Sequence, residues 1–418
     1  MTRLRAFGRS TFSSLSQRNF RLFFLGQGVS QIGNWMTLVT QTLLVLSLTD
    51  SGVALGLLAA AQFGPVLLLG PWAGLIADRS DKRRLLLLVQ SVSMVQSLAL
   101  AALAFSGEPP VWAVYALASV GGVTVAFDNP ARRSMVVEMV DEDQVPNAVA
   151  LNTTMMTSSR IVGPALGGLL VATAGFGAAF LVDGISYVAV LASLVMIRSA
   201  DLRRANPAKR GRGQVREGLR YIRSEPNLFV PMAMMGVVGM LAFNFSTVLP
   251  LFAVRDLGGT EATYTYLFSI LSVGALAGSL MAARRKVVTV TTVGRTAVAF
   301  GISMFALALT PGLATATIVS VFLGASSVGF LTASTAIVQL RSVPEMRGRV
   351  LAIQAMLFLG STPIGGPLIG WLSEELGARA GMLVGAAGTL LAGAWGLAMV
   401  GRPKRNHPGQ GAPTPVAP

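Results

Sequence analysis

The sequence predicts an all-α membrane protein in which twelve transmembrane helices form two pseudo-symmetric bundles of six. Three observations predict this fold class: long apolar segments, the distribution of the basic residues, and an internal repeat. Hydrophobic residues make up 53% of the 418-residue chain and charged residues only 12%. A soluble protein of this size needs a larger charged surface, so the expected solvent is a lipid bilayer.

The apolar segments come first, because a helix needs about 20 mostly apolar residues to cross a bilayer. Unpaired backbone groups are not tolerated in lipid, so each span is expected to be helical, and the alternating pattern of a membrane β-barrel is absent. The twelve expected spans are 21–46, 52–77, 84–106, 110–130, 147–174, 176–197, 227–253, 262–283, 289–310, 312–338, 348–373 and 377–400.

The basic residues predict how the chain is oriented. All but three of the 33 Lys and Arg residues lie at the same end of the expected spans; the exceptions are Arg160, Arg255 and Arg379. Basic connections stay on the cytoplasmic side, so both termini are expected in the cytoplasm and the protein in the plasma (bacterial inner) membrane. Orientation and contact with anionic headgroups explain the net charge of +15 better than nucleic-acid binding does.

The longest connection, between spans 6 and 7, divides the chain. We expect an N-terminal six-helix bundle with a cytoplasmic N-terminus (1–197), a cytoplasmic linker (198–226), a C-terminal bundle (227–402) and a disordered cytoplasmic tail (403–418). Within the linker, Val215, Leu219 and Ile222 share one helical face. This pattern is typical of a helix in the membrane interface, and a plain basic linker is the alternative.

An internal repeat relates the two sets of six spans. "VGPALGGLL" (162–170) resembles "GGPLIGWLS" (365–373) at a shift of 203 residues. At a shift of 204, Gly70 and Gly74 align with Gly274 and Gly278. Two separate places with nearly the same shift indicate a duplicated unit. Duplicated bundles enclose a cavity that opens to either side as the halves rock, so the expected function is moving a solute.

The composition argues against catalysis and cofactors. The chain has no cysteine and one histidine, His407, so thiolate metal sites and histidine chemistry are not expected. Clustered acids at membrane depth are absent, and "GASSVGFLTAS" lacks the lysine of a phosphate loop. We therefore expect no enzyme activity, no cofactor, no metal and no nucleic acid. The expected partners are a small-molecule substrate and the bilayer, with the chain acting as a monomer.

Four stretches resemble a known family. "GLIADRSDKRR" and "RIVGPALGGLL" resemble the span 2–3 and span 5 signatures of the major facilitator superfamily. "RNFRLFFLGQGVSQIGNWM" and "DNPARRSMVVEMVDEDQVPNAVALN" resemble its branch of enterobactin exporters and related secretion or macrolide-efflux carriers. The resemblance spans about residues 15–400. The chain departs from the signatures at Asp81 and Ser159, where the family has glycine, and span 4 lacks the arginine of many proton-coupled exporters.

The resemblance implies a set of gating residues. Asp78 lies at the C-terminal end of span 2, where an acid is unfavourable for its own helix dipole. In the family it faces span 11 of the other half, which implies a latch that closes the cytoplasmic side. In span 5, proline kinks the helix and glycines permit close approach, which fits a gate as well as simple packing. The expected gating residues are Gly74, Asp78, Arg79, Arg83, Gly163, Pro164, Gly167 and Gly168.

Arg160 is the main candidate for substrate binding or coupling, because a charge inside a span is costly and is usually functional. Its candidate partners are Asp128 and Asp183. It can bind an anionic substrate group, hold a carboxylate whose protonation couples transport, or form a structural ion pair. Amides inside spans are expected to line the cavity, with hydrogen bonds between helices as the alternative. They are Gln27, Gln31, Asn34, Gln62, Asn152, Asn244 and Gln354.

These observations favour a secondary transporter that exports an amphipathic small molecule, such as a drug, siderophore or secondary metabolite. The resemblance implies alternating access and proton-coupled antiport. An uptake symporter or uniporter of the same fold is the first alternative, and a membrane sensor or scaffold that transports nothing is the second.

Overall fold

The computed structural model describes residues 12–203, 214–283 and 287–400. Its regular structure there is helical, and eleven helical stretches are long and apolar enough to cross a membrane. One of them, Glu142–Met196, is two spans, because Gly175 (φ 82°) separates residues 145–174 from 176–196. Glycine adopts a positive φ without strain, so the chain can turn there. The described residues thus confirm an all-helical fold with twelve crossings.

Residues 12–203, the described part of the first half, contain six α-helices. Their starts have local causes: the Ser51 hydroxyl accepts the Ala54 N–H, and the Asp81 carboxylate accepts the Arg84 N–H. Both satisfy an N–H group that has no partner inside its helix. The helices are α1 (Arg18–Thr49), α2 (Gly52–Arg79), α3 (Lys82–Phe105), α4 (Val111–Glu138), α5 (145–174) and α6 (176–196).

From residue 214 onward the described residues form nine α-helices: one in the linker, and eight in the six spans, because two of these spans are broken. They are α7 (Gln214–Ser224), α8 (Pro226–Leu241), α9 (Phe245–Leu251, which continues into a π-helical turn, Phe252–Asp256), α10 (Glu261–Ala283), α11 (Val290–Ala308), α12 (Leu313–Arg341), α13 (Pro344–Leu359), α14 (Thr362–Leu376) and α15 (Ala378–Val400).

The two breaks correct the expectation of unbroken spans at 227–253 and 348–373. In the eleventh span the helix stops at Leu359, because the ring of Pro363 excludes the carbonyl four residues before it. In the seventh span the helix stops at Leu241 and restarts after Asn244, whose carbonyl accepts the N–H groups of the new first turn. Non-helical backbone at membrane depth is tolerated where protein or a cavity surrounds it.

Helix α7 lies in the expected linker, but its apolar face differs from the expected one. Gly218 lies against Ile353 of α13, and Ile222 is buried in the same cluster. Leu219 points away and is exposed, and the side chain of Val215 lies outside the described residues. The helix is therefore docked on protein, because the residues four apart, Gly218 and Ile222, form its contact face.

The bundle has two ends, which are named here by their turns. The basic face contains the α2–α3 turn at Ser80 and Asp81; the opposite face contains the α1–α2 turn at Asp50 and Ser51. Helices α1–α6 pack on one another and α8–α15 on one another. The two halves meet chiefly where α2 contacts α14 and where α5 contacts α10.

Candidate functional site

Glycines bring the two halves into backbone contact near the opposite face. A Cβ added at Gly52 would lie 2.4 Å from the carbonyl oxygen of Gly370, and one at Gly56 would lie 2.5 Å from that of Gly366. Real side chains do not fit at such distances, so α2 and α14 approach this closely only because these positions are glycine. The gap between the halves is therefore closed at this end.

Charged groups join the halves at the same end. Arg255 forms an ion pair with Asp50, at 3.3 Å, and also donates to the Asp50 carbonyl. The Glu374 carboxylate accepts the Ser51 hydroxyl at 2.6 Å and the Val53 N–H at 2.9 Å. Asp50, Ser51, Arg255 and Glu374 are called the outer clamp below.

The outer clamp uses one of the two basic residues that sequence analysis places on the opposite face. The other, Arg379, pairs with Asp256 inside the second half at 3.2 Å. Both arginines expected on the opposite face are thus held by carboxylates there. Their pairing was not predicted, because the acids lie far away in the sequence.

Toward the basic face, contact between the halves is sparse. A Cβ added at Gly64 or Gly70 of α2 would meet nothing within 4 Å. Gly360, at the break between α13 and α14, still contacts the side chain of Leu67. Among the described glycine positions, α2 is therefore in close contact with the other half near the opposite face and has open space at Gly64 and Gly70.

The span 5 signature contacts both halves. Gly163 and Gly167 lie against α1, where a Cβ at 163 would come within 2.6 Å of Trp35 and one at 167 within 3.1 Å of Met36. Gly168 lies against Thr265 of α10; a Cβ added at Gly168 would lie 2.2 Å from the Thr265 hydroxyl oxygen. Pro164 is buried beside them. Only Gly168 of these expected gating residues meets the other half.

Arg160 lies one turn before this signature and has no acidic partner among the described residues. Its guanidinium carbon lies 5.3 Å from the centre of the Trp35 ring, a cation–π distance. Its Nε is buried without a hydrogen-bond partner. Neither candidate partner reaches it, because Asp128 and Asp183 are each engaged elsewhere.

Asp183 is fully buried within the first half. Its carboxylate accepts hydrogen bonds from Thr37 of α1 and Ser97 of α3, both at 2.6 Å, and a longer one from Ser186 at 3.4 Å. No basic side chain pairs with it in the described part of the chain. Gly33 makes room for it, since a Cβ there would lie 2.2 Å from the carboxylate.

Asp128 belongs to a second buried group. It pairs with Arg132, one turn later in α4, at 2.9 Å and accepts the Gln90 amide at 2.7 Å. It borders a small polar cavity together with Gln31 and Tyr187. The ion pair and the amide satisfy the carboxylate, so Asp128 acts inside α3 and α4 instead of binding Arg160.

The amides predicted to line the cavity take different positions. Asn34 borders both the small cavity and a larger neighbouring one. Gln62 lines the larger one and donates to Gln41 at 2.7 Å. Both atoms of the Gln27 amide are buried without a partner in the described structure.

The other three predicted amides, Asn152, Asn244 and Gln354, do not line either of these two cavities. Asn152 of α5 is half-buried. Asn244 donates to the Met240 carbonyl across the break between α8 and α9, and its amide oxygen has no partner among the described residues. Gln354 is buried, with an unpartnered amide nitrogen. No described cluster of three or more acids or histidines is arranged to hold a metal ion.

The span 2–3 signature is held mainly within the first half. Arg83 donates to the carbonyls of Leu194 and Val195 at the end of α6, at 2.6 and 2.8 Å. Arg79 is exposed, Gly74 lies inside α2, and the contacts of the Asp78 side chain fall outside the described residues. The predicted latch therefore stays a prediction for Asp78.

Two features of the structure, one in each half, were not predicted from the sequence. Lys82, which looks like an orientation charge, pairs with the buried Glu138 of α4 at 3.1 Å. The break in the seventh span places Phe243 in contact with the rings of Phe300 and Phe358, with centroids 5.1 and 4.9 Å away. Phe300 and Phe358 lie 57 and 115 residues after Phe243, so the sequence gives no local signal of such a cluster.

The amino-acid sequence matches a known protein family and several curated relatives. Residues 9–407 match the family described as transmembrane secretion effectors. A staphyloferrin A transporter of Staphylococcus aureus is 26% identical over 62% of this chain and 64% of its own, so the match spans just under two thirds of that relative. Macrolide efflux protein A of Streptococcus pyogenes is 22% identical over 89% of this chain and 93% of its own.

Solved structures show the same fold. A bacterial homologue of the human lysosomal transporter Spinster, in an inward-facing and unoccupied conformation, superposes with a TM-score of 0.75. The superposition covers 91% of this chain and 96% of that one at 14% sequence identity. The predicted fold class and family resemblance are confirmed by these matches.

Proposed function

Because the chain belongs to the transmembrane secretion effector family of the major facilitator superfamily, we propose that it exports an amphipathic small molecule by alternating access. The observation that carries this proposal is the asymmetry of the gap between the halves. Glycine contacts and the outer clamp close one end, while α2 has open space at Gly64 and Gly70, further toward the other end. A carrier with one end closed and a polar wall at mid-depth is suited to take up a solute from the open side.

The open side is proposed to face the cytoplasm. The basic connections favour that side for both termini. A solute would then enter from the cytoplasm, meet the wall formed by Asn34, Gln41 and Gln62, and leave once the outer clamp opens. The substrate classes to test first are those of the relatives, a macrolide and staphyloferrin A.

The break between α8 and α9 supplies the apolar part of the proposed binding surface. Helix α9 packs against α1 and α2 of the first half, so the break lies at the boundary between the halves. Phe243 and Phe358 there are only partly buried. An amphipathic solute can place its polar part on the amides and its apolar part on these rings.

Protons are the proposed coupling ion, with Asp183 as their carrier. Its carboxylate is held by hydroxyl groups instead of a basic side chain, so taking up a proton changes the charge of the bundle interior by one unit. Thr37 lies on α1 and Ser97 on α3, so a change in the charge of Asp183 alters its hydrogen bonds to both helices. The Asp128–Arg132 pair is the less suitable carrier because its carboxylate is already neutralised.

The export proposal is tested by flux into inverted membrane vesicles. Energised vesicles containing the protein should accumulate a macrolide or staphyloferrin A, and a protonophore should abolish the accumulation. Transport that equilibrates but never concentrates the solute would identify a uniporter and contradict proton coupling. Vesicles with the Asp183→Asn variant are the matched comparison for the coupling step.

A further inference from the structure

Resting on the transport function proposed above, we propose that the transported solute is an organic anion. Its carboxylate or similar anionic group would bind the guanidinium of Arg160, with the Trp35 ring as the surface behind that guanidinium. This names the charge class of the substrate and the residue that selects it. The argument starts from the charges inside the bundle.

Arg160 is a cation without a counter-charge. Among the described residues no carboxylate lies within ion-pair distance of it, and its one recorded contact of this kind is the Trp35 ring at 5.3 Å. A buried guanidinium normally has an anionic partner, because removing it from water is costly. The missing partner at Arg160 is therefore expected to come from outside the chain.

The two acids predicted as partners of Arg160 are not free to serve. Asp128 already holds Arg132. Asp183 lies on the far side of α1: Gly33 faces it, while Trp35 faces α5. Residues two apart on a helix differ by about 200° in direction. Helix α1 thus separates Arg160 from Asp183, and a rotamer change alone does not join them.

Arg160 also lies on the side of α5 that borders the gap between the halves. Met155 and Gly163 mark the face that packs on α1, and Gly168 marks the face that meets α10 of the other half. By helical spacing, Arg160 falls between these two faces. Both Arg160 and Trp35 keep part of their surface open, so a solute in the gap can reach them.

The Trp35 ring gives the Arg160 guanidinium an aromatic surface at 5.3 Å. A guanidinium that lies over a ring keeps its N–H groups in its own plane, where they can form two parallel bonds to a carboxylate. Gly163 permits this arrangement, because a Cβ there would lie 2.6 Å from the Trp35 Cβ and push the ring away. The span 5 glycine thus positions the ring on which the arginine rests.

A buried, unpartnered hydroxyl lies on the face of α10 that meets α5. Ser269 of α10 is one helical turn from Thr265, which contacts Gly168, and its hydroxyl has no hydrogen-bond partner among the described residues. It can donate to the same anionic group when the halves approach. The partly buried Phe243 and Phe358 remain for the apolar part of the solute. The site therefore fits an anion with an attached apolar body.

The test uses three fluorescent probes that share one aromatic body and differ in charge: dansylglycine (anionic), dansylamide (neutral) and dansylcadaverine (cationic). Their affinities for the purified protein in lipid nanodiscs are measured by dansyl fluorescence. Wild type should bind dansylglycine roughly ten- to hundredfold more tightly than dansylamide, as expected for a charge-assisted hydrogen bond. Arg160→Gln should remove this preference and Arg160→Lys should keep part of it. Arg21→Gln, the same change at an exposed arginine, should leave it intact.

Two results would overturn the inference: wild type that does not prefer the anionic probe, or a preference that survives in Arg160→Gln. Binding needs no transport, so this outcome is separate from the fate of the export proposal. An Arg160-dependent preference in a protein that moves none of the probes supports the anion site and contradicts the export function. Proton-driven flux of dansylcadaverine that is unchanged in Arg160→Gln supports export and contradicts the anion site.

Discussion

Removing the Glu374 carboxylate should shift the protein toward a state that is open at the opposite face. Oε2 of Glu374 accepts two hydrogen bonds from the first turn of α2, from the Ser51 hydroxyl and the Val53 N–H. It acts as a cap that is supplied by the other half. Loss of a helix cap costs about 1 kcal/mol, and a negative charge at a helix start adds a few tenths.

The expected shift in population follows from this energy. Glu374 is exposed, so solvent screening limits the total to about 1–1.5 kcal/mol, which is roughly a five- to tenfold rise in the open population. Thr247 is a suitable reporter, because it is fully buried on α9, which packs against α1 and α2 of the first half. We expect it to become accessible when the halves part at this end. The chain contains no cysteine, so Thr247→Cys gives a single reactive site.

The assay measures the rate at which a maleimide labels that cysteine in protein held in nanodiscs. When opening is fast compared with labelling, the rate is proportional to the open population. Glu374→Ala should raise it roughly five- to tenfold, in line with the energy above. Glu375→Ala, the neighbouring exposed acid, should leave the rate unchanged. Equal rates in both variants, or a rate unchanged by Glu374→Ala, would refute the reasoning.

Three further changes test other parts of the molecule. Gly56→Ala should raise the same labelling rate, because its Cβ would lie 2.5 Å from the Gly366 carbonyl oxygen and overpacking costs about 1–3 kcal/mol. Gly64→Ala, at an open position of the same helix, should leave the rate unchanged. Asp183→Asn should abolish proton movement that accompanies solute flux, measured with a pH-sensitive dye inside vesicles, while solute binding persists; coupled proton flux in this variant would exclude Asp183 as carrier. Lys82→Met should lower the thermal unfolding midpoint, because Glu138 would stay buried without its partner at a cost of about 3 kcal/mol, and adding Glu138→Leu should restore it.

The fold was predictable from the sequence because the signals are local or periodic. Apolar segments of bilayer length and a one-sided distribution of basic residues are enough to predict twelve helical crossings. Breaks inside a span are less visible: Pro363 is compatible with a kink as well as with a stop, and only packing decides between them. The break before Asn244 has no strong local signal.

The candidate site was only partly predictable, because partners lie far apart in the sequence. A charge inside a span identified Arg160, but its contact is the Trp35 ring, and the sequence does not show which residues face each other across two helices. The outer clamp joins Asp50 to Arg255 and Ser51 to Glu374, which are separated by 205 and 323 positions. Orientation charges also conceal structural pairs, as with Lys82.

The central claim is that the halves open to one face at a time, and distances between spin labels test it most directly. One pair of labels, at Glu142 and Arg347, spans the gap at the basic face, and another, at Glu108 and Leu376, spans it at the opposite face. Under a proton gradient with solute present, the first distance should shorten while the second lengthens. Two distances that change in the same direction, or that both stay fixed while solute is transported, would contradict the account.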